Sequence, residues 1–214
     1  MKVAVVSEGP HDEAAVKILV DAVLGIETEL VGFRRSAEGW PSVRNLLPAI
    51  ITDLHYRHID ADGLVVVVDS DNTTAHDASH RIMEAEAISC RLCLMRGVAE
   101  RQLGRLTSVP NRTHIKLAFG LAVPQIEAWY RCGLDPHVNE STWGRKIRGE
   151  RITYDAKSLK SDTYGSDRVP TFVKTNLAKQ AARRLAANLE QLVQLFPNGF
   201  GSLVRDLQNW QVKS

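Results

Sequence analysis

Acidic side chains follow two apolar runs of this sequence at the points where the runs end. Glu8 comes two residues after Val3–Val6. Asp69, and two residues later Asp71, follow the valines of residues 65–68. Short and almost purely apolar runs are typical of strands buried on both faces of a parallel sheet. The carboxyl ends of such strands lie at one edge of the sheet, where ligands bind. We therefore predict that the three acids lie together at that edge.

Three carboxylates brought together repel one another, so such a group persists when a cation neutralises it. Hard oxygen ligands suit Mg²⁺ or Mn²⁺. The sequence therefore predicts a metal site of Glu8, Asp69 and Asp71, with Mg²⁺ (or Mn²⁺) as the cofactor. An acid after a strand also serves as a helix cap or a turn residue. For each acid taken alone, that local role stays open.

The elements that position these acids follow from hydrophobic periodicity and from glycine and proline positions. Strands are predicted over Val3–Val6, Glu29–Phe33 and Gly63–Val68, and between His114 and Val123. Helices are predicted over Asp12–Leu24, Ser42–Tyr56, Ala78–Leu103, a short segment with Glu127 and Trp129, Thr171–Leu195, and Gly201–Trp210. The polar, glycine-containing span 136–170 is predicted to be loop or mobile structure.

The alternation of strands and helices predicts the α/β fold class, with a mainly parallel sheet and helices on both faces. A chain of 214 residues is long for one small domain and short for two full ones. We assign residues 1–135 to an α/β metal-binding domain. Residues 136–214 are assigned to a basic loop and a helical C-terminal extension packed on that domain.

Positive charge is concentrated in one segment. Residues 144–184 hold eleven Lys or Arg and four acids, a net charge of +7, and because the whole chain is +2 the rest is −5. This asymmetry predicts a basic surface for a polyanion beside the acidic site, although a solvated helical face is the alternative. The candidate nucleic-acid contacts are Arg145, Lys146, Arg148, Lys157, Lys160 and Lys174. Trp143 and Tyr164 are candidates for stacking on bases, whereas Trp129 is expected in the core.

The three cysteines do not predict a zinc site. Cys90 and Cys93 have C-x-x-C spacing, but they fall within a predicted helix and have no His partner at zinc-finger spacing. With Cys132 they are expected to be reduced thiols of a cytoplasmic protein. His76 and His80 could add metal ligands, or lie on the surface or cap a helix. No apolar stretch is long enough to span a bilayer, so no membrane contact is expected.

Two of these segments resemble the motifs of Toprim domains. Residues 5–12, VVSEGPHD, resemble the first motif, a hydrophobic strand followed by E-G-x-x-[DE], and residues 65–71, VVVVDSD, resemble the second, a hydrophobic strand followed by D-x-D. Residues 122–130, AVPQIEAWY, are similar to a segment in a family of small stand-alone bacterial Toprim-like proteins of unknown function. Residues 199–203, GFGSL, fit that family loosely. Toprim domains occur in topoisomerases, primases, repair proteins and OLD-family nucleases, and they are Rossmann-like.

The resemblance implies roles for individual residues. Glu8 matches the Toprim glutamate, a metal ligand or acid/base group, and Asp69 and Asp71 match the metal-binding aspartates. Gly9 would allow close backbone approach in the turn.

Three further acids are implied at the same site. Asp12, with Glu13 beside it, matches the second acid of the first motif, which in OLD-like nucleases helps hold a second metal. Glu127 would face the site through the looser family match. Glu8 or Asp12 would orient or deprotonate the attacking water.

The implied activity is metal-dependent phosphodiester hydrolysis of nucleic acid, in defence or repair. One metal would activate water and a second would stabilise the leaving oxygen, about 4 Å away. The chain is too short for a topoisomerase. A homodimer or a partner protein is expected, because Toprim nucleases often act in these forms.

Other functions stay open. The chain could be a non-catalytic Toprim-like module that binds nucleic acid or depends on a partner. Residues 69–73, DSDNT, also match D-x-D-x-T, the nucleophile loop of haloacid-dehalogenase-type phosphatases. That loop normally follows the first strand, whereas here it follows the third. A nucleotide-sugar transferase with a D-x-D metal site would leave Glu8 and Gly9 unexplained.

Overall fold

The structure is a computed structural model that describes residues 1–32, 38–56, 61–77, 79–80, 89–110, 115–166 and 168–211. Four strands lie in these residues: β1 (Lys2–Val6), β2 (Glu29–Val31), β3 (Gly63–Asp69) and β4 (Lys116–Ala122). The helices there are α1 (Pro10–Leu24), α2 (Gly39–Tyr56), α3 (Arg91–Leu103), α4 (Ile126–Arg131), α5 (Glu140–Ile147), α6 (Ala156–Tyr164), α7 (Thr171–Ala186), α8 (Leu189–Leu195) and α9 (Phe200–Gln211). None of the helices in these ranges is both long enough and apolar enough to cross a membrane.

The strands form one parallel sheet in the order β2-β1-β3-β4. Val6 pairs with Val66, and Asp69 pairs with Ala122, so the ends of β1, β3 and β4 lie at one edge. Helices α1 and α9 contact each other and the sheet, as do α2 and α3. Helices on both faces bury the apolar residues of β1 and β3, which explains the apolar runs of these two strands, whereas β2 is partly exposed. The predicted α/β class is therefore confirmed.

The C-terminal helices pack directly on the sheet layer. Helix α7 lies along α1, and α9 lies against β4. Trp210 of α9 covers Gly63, where any side chain would overlap the indole ring, and its Nε1 donates to Leu117 O at 3.1 Å. One buried apolar core therefore contains residues from both 1–135 and 136–214.

The span 136–170 contains two helices, α5 and α6, so the prediction of loop structure is wrong. The Asn139 side chain accepts from Thr142 N at 2.8 Å at the start of α5. Asp155 and Ser158 form a capping box at the start of α6. Such caps satisfy N–H groups of a first helical turn. They are local signals that the polarity of this span concealed.

Two other predicted helices are interrupted. The predicted helix 171–195 is divided into α7 and α8 at Ala187 and Asn188. In place of the predicted helix 78–103, α3 begins at Arg91 after Cys90, whose φ of −79° and ψ of 112° are extended. Residues 78 and 81–88 of that prediction lie outside the described residues, as do the predicted strand ends at positions 33 and 114.

Candidate metal centre

Glu8 and Asp69 lie side by side where β1 and β3 end. Asp69 N donates to Glu8 Oε1 at 2.9 Å. Asp69 Oδ1 in turn accepts from Ile126 N, at the start of α4, at 2.9 Å. Three elements of the sheet edge therefore meet at Asp69, and the structure brings Glu8 and Asp69 together as their strand positions predict.

Asp71 has a different environment. Its φ of 49° is in the left-handed region, which Asp tolerates better than most residues. The loop is fixed by Asp71 N donating to Pro124 O at 2.8 Å and by Trp143 Nε1 donating to Asp71 O at 3.1 Å. The carboxylate is half exposed and lies 2.7 Å from Arg91 Nη2. Asp71 is thus paired with an arginine, not with another carboxylate.

Arg91 neutralises the outer acids of this edge. It is 8% exposed. Its Nη1 donates to Asp69 O at 2.7 Å and lies 3.4 Å from Glu8 Oε1. Its guanidinium also stands 5.1 Å from the Trp40 ring centre. A buried arginine in this position supplies a fixed positive charge where a cation would otherwise be needed.

Asp12 and Glu127 are buried acids next to Asp69. Tyr130 Oη donates to Asp12 Oδ1 at 2.9 Å, and His11 Nε2 lies 3.3 Å from Asp12 Oδ2. Glu127 is 3% exposed, and its Oε2 has no hydrogen-bond partner of ordinary geometry among the residues that the structure describes, although the nearby Tyr164 hydroxyl acts to lower the pKa of Glu127. Because a buried carboxylate oxygen without a partner is unfavourable, this oxygen is suited to a proton or a cation.

The acids of this edge keep their protons unusually well. Burial and then repulsion from Glu127 raise the pKa of Asp12 to about 8. Burial, followed by repulsion from Glu127 and Glu8, raises the pKa of Asp69 well above its usual range. Burial also raises the pKa values of Glu8, Glu127 and Glu13. Near neutral pH the group therefore retains protons unless a cation takes their place.

We expect Asp12 to stabilise the protein in magnesium-free buffer increasingly as the pH falls from about 8 towards about 4. Folded Asp12 has a pKa of about 8, whereas the ordinary value is 3.8. Between these values the folded state binds more protons, so the free energy of unfolding falls as pH rises, by up to about 1.4 kcal/mol per pH unit for each such carboxyl. Urea titrations of wild type and Asp12→Asn check this. The difference between the two curves isolates Asp12, and parallel pH dependences would contradict the expectation.

The carboxylates do not form a compact ligand set as they stand. Within the described ranges, one group of potential metal ligands has all its ligand atoms within 4.8 Å of one another: His76, His80, Cys90 and Cys93. Arg91 holds Asp71 in this arrangement, and the binding of one ion by Glu8, Asp69 and Asp71 stays a prediction. A divalent cation would draw the oxygens of Glu8 and Asp69 closer, and Asp71 could join them only by leaving Arg91.

A basic cleft of about 470 Å³ opens beside the buried acids. Its lining includes the predicted contacts Lys157, Lys160 and Lys174. Burial raises the pKa of Glu127, and Lys160 and Lys174 oppose that rise by attraction. Their positive potential therefore reaches the acids, as a phosphate-binding surface next to a metal site requires. We call this surface the lysine cleft.

The other three predicted contacts lie on or next to α5 and do not line the lysine cleft. Arg145 and Arg148 are each 4.0 Å from Glu150. Lys146 Nζ lies 3.9 Å from the centre of the Trp143 ring. The structure thus divides the predicted basic surface into two groups, of which one adjoins the acids.

Two aromatic residues that were candidates for stacking on bases are buried. Trp143 is 1% exposed and Tyr164 is 6% exposed, so neither is free to stack on bases as predicted. Burial and the nearby carboxyls of Asp12 and Glu127 raise the pKa of Tyr164. Gly9 has an ordinary φ of −145°, and an added Cβ would lie 2.6 Å from the His11 ring and 3.5 Å from Asp12 Oδ2, so the His11 ring would have to shift. The close backbone approach expected at Gly9 stays a prediction.

The described residues thus place a buried arginine, a lysine cleft and five acids at the carboxyl edge of one parallel sheet: Glu8, Asp12, Asp69, Asp71 and Glu127. Sequence reasoning missed Arg91 and Tyr130, since their partners Asp71 and Asp12 lie 20 and 118 residues away in the sequence. No protein-family model, no curated protein and no solved structure matches this chain. The resemblance to Toprim domains therefore stays a prediction.

Proposed function

We propose that this chain is a metal-dependent phosphodiester hydrolase of Toprim type that acts on nucleic acid. One observation carries the proposal. Glu127 is buried beside Asp12 and Asp69 with a carboxylate oxygen that has no partner in the described part of the chain, and the lysine cleft adjoins it. These acids need a cation, and they lie next to a surface that attracts phosphates. This combination suits the hydrolysis of the phosphodiester backbone of a nucleic acid.

The donors fit a hard divalent cation. Glu8, Asp12, Asp69 and Glu127 offer only carboxylate oxygens, which Mg²⁺ and Mn²⁺ prefer. Bound there, the ion would supply Lewis-acid activation of the phosphate and of water. Asp71 is a further donor if Arg91 releases it.

The chain's own side chains would do the remaining work. Asp12, whose pKa is about 8, would accept a proton from water once a bound cation had displaced its own proton, while Tyr130 holds it in position. Lys157, Lys160 and Lys174 would hold the phosphates of the backbone, which fixes the position of a nucleic acid without reading its sequence.

A non-catalytic binding module is the second candidate. The observation that favours it is Arg91, which already neutralises Asp71 and lies close to Glu8. A phosphatase that uses Asp69 as nucleophile is less well supported, because Glu127, Glu8 and Asp12 all repel negative charge at Asp69.

Cleavage of supercoiled plasmid, single-stranded DNA and RNA in Mg²⁺ or Mn²⁺ tests the proposal. We expect wild type to cleave at least one of these polymers. The cleavage rates of Glu8→Gln and Asp69→Asn should be at least about 100-fold lower than that of wild type. The reason is that removing a metal ligand should lower activity at least as much as removing a group that hydrogen-bonds to such a ligand. The control is Glu190→Gln, which neutralises an exposed acid on α8 and should cleave at the wild-type rate.

Three results would overturn the hydrolase. Equal residual cleavage in wild type and both variants would identify a contaminant. Salt-sensitive binding of nucleic acid without cleavage would favour the binding module. Hydrolysis of a phosphomonoester that needs Asp69 but not Glu8 would favour the phosphatase.

A further inference from the structure

Four side chains of the types that bind zinc converge outside the carboxylate group. They are His76, His80, Cys90 and Cys93, and all their ligand atoms lie within 4.8 Å of one another. The sulfurs of both cysteines are each 3.5 Å from His76 Nδ1. Cys93 Sγ is also 4.0 Å from His80 Nδ1. His80 is partly buried and the other three are buried.

These separations match the edges of a zinc tetrahedron. With Zn–S of about 2.3 Å and Zn–N of about 2.0–2.1 Å, tetrahedral angles place sulfur and nitrogen about 3.6 Å apart. The measured separations of 3.5, 3.5 and 4.0 Å bracket that value. We propose that His76, His80, Cys90 and Cys93 form a structural zinc site.

The ligand types indicate which metal this site selects. Two thiolates and two imidazoles favour zinc over Mg²⁺, whereas the carboxylate group has the opposite preference. Four protein ligands fill a tetrahedral shell and leave no open position for substrate, which is the arrangement of structural zinc sites. The chain therefore has two metal sites of different chemistry, and the zinc site holds whether or not the chain is a nuclease.

The zinc site fixes parts of the sheet edge. His76 lies five residues after Asp71, and Arg91 lies between Cys90 and Cys93 at the start of α3. One ion bound to all four side chains ties the loop after Asp71 to the helix that presents Arg91. Since Arg91 contacts both Asp69 O and Asp71, zinc is a positioning element for that arginine.

Metal analysis of the purified full-length chain tests the site. After growth with added zinc and dialysis against excess Mg²⁺, we expect about one zinc per chain in wild type. Cys90→Ser and Cys93→Ser should hold almost none. The matched control is Cys132→Ser, which alters the third buried cysteine and should retain the wild-type content. Asp69→Asn should also retain zinc, because its carboxylate belongs to the other site.

Cobalt replacement keeps the test decisive if the serine variants fail to fold. Wild type stripped of zinc and titrated with Co²⁺ should develop the intense visible bands of a tetrahedral cobalt thiolate at one equivalent, and Zn²⁺ should displace them. The zinc site would be overturned if the cobalt protein showed only the weak absorption bands of octahedral cobalt. It would also be overturned if the wild-type protein contained no zinc, or if Cys90→Ser contained as much zinc as wild type. Loss of zinc in Asp69→Asn would overturn it too. Zinc binding without cleavage would refute only the proposed hydrolase.

Discussion

Replacing Glu127 with Gln is expected to stabilise the protein in magnesium-free buffer and to abolish its response to Mg²⁺. Glu127 is buried, its pKa is raised chiefly by burial, and its Oε2 has no partner in the described ranges. Removing such a charge should raise the free energy of unfolding by about 1–3 kcal/mol near pH 8. Mg²⁺ should raise the free energy of unfolding of wild type, because a ligand that binds the folded state stabilises it. The variant should not be stabilised by Mg²⁺, and its cleavage rate should fall by at least about 100-fold.

Urea unfolding with and without Mg²⁺ measures both effects, and Glu140→Gln is the matched control. Glu140 is also buried, but its oxygens accept from Asn198 N at 3.0 Å and from Gly199 N at 2.6 Å. An amide has only one acceptor oxygen, so Glu140→Gln should lose stability and keep the Mg²⁺ response. A Glu127→Gln protein that is less stable than wild type, and that still responds to Mg²⁺, would remove Glu127 from the metal site.

Replacing Arg91 with Met is expected to lower the free energy of unfolding by about 2–4 kcal/mol in magnesium-free buffer. The change leaves Asp71 and Glu8 without their buried cation and Asp69 O without its donor. The loss should lie towards the lower end of the range for a buried ion pair, since the Asp71 side chain is 50% exposed. Saturating Mg²⁺ should recover part of it, because the ion can then neutralise both acids.

Arg96→Met is the control on the same helix. Arg96 donates to both oxygens of Asp206 on α9, at 3.1 and 2.9 Å, and Asp206 is not one of the acids of the carboxylate group. Replacing Arg96 should also lower stability, but Mg²⁺ should recover none of that additional loss. If Mg²⁺ stabilised wild type and Arg91→Met by the same amount, Arg91 would not compete with a cation for these acids.

The sheet and part of its acidic edge could be predicted because their signals are local. The apolar runs of β1 and β3 indicate buried parallel strands, and the residues that follow them must lie at one edge. This places Glu8 beside Asp69, as the structure does. Asp71 was predicted to lie with these two acids, but the strand ends at Asp69 and the backbone changes direction. Its carboxylate therefore meets Arg91.

The His/Cys group could not be predicted because the helix assignment concealed it. In the continuous helix predicted over residues 78–103, Cys90 and Cys93 would lie several turns away from the preceding loop that contains His76. In the structure Cys90 is extended and α3 starts only at Arg91, so both thiols reach His76. C-x-x-C after H-x-x-x-H was the available signal, in the reverse of the usual zinc-finger order. The position of Tyr164 beside the acids likewise depends on α6, whose capping box was the overlooked signal.

The cover that α9 provides has a consequence for the chain during its synthesis. Strands β3 and β4 leave the ribosome well before Trp210, which lies over Gly63. Until α9 emerges, one apolar face of these strands stays open to solvent, and such surfaces are what chaperones bind. A nascent chain interrupted before residue 200 would keep that face uncovered. Productive folding of the acidic edge is thus tied to complete translation of the helices that follow it.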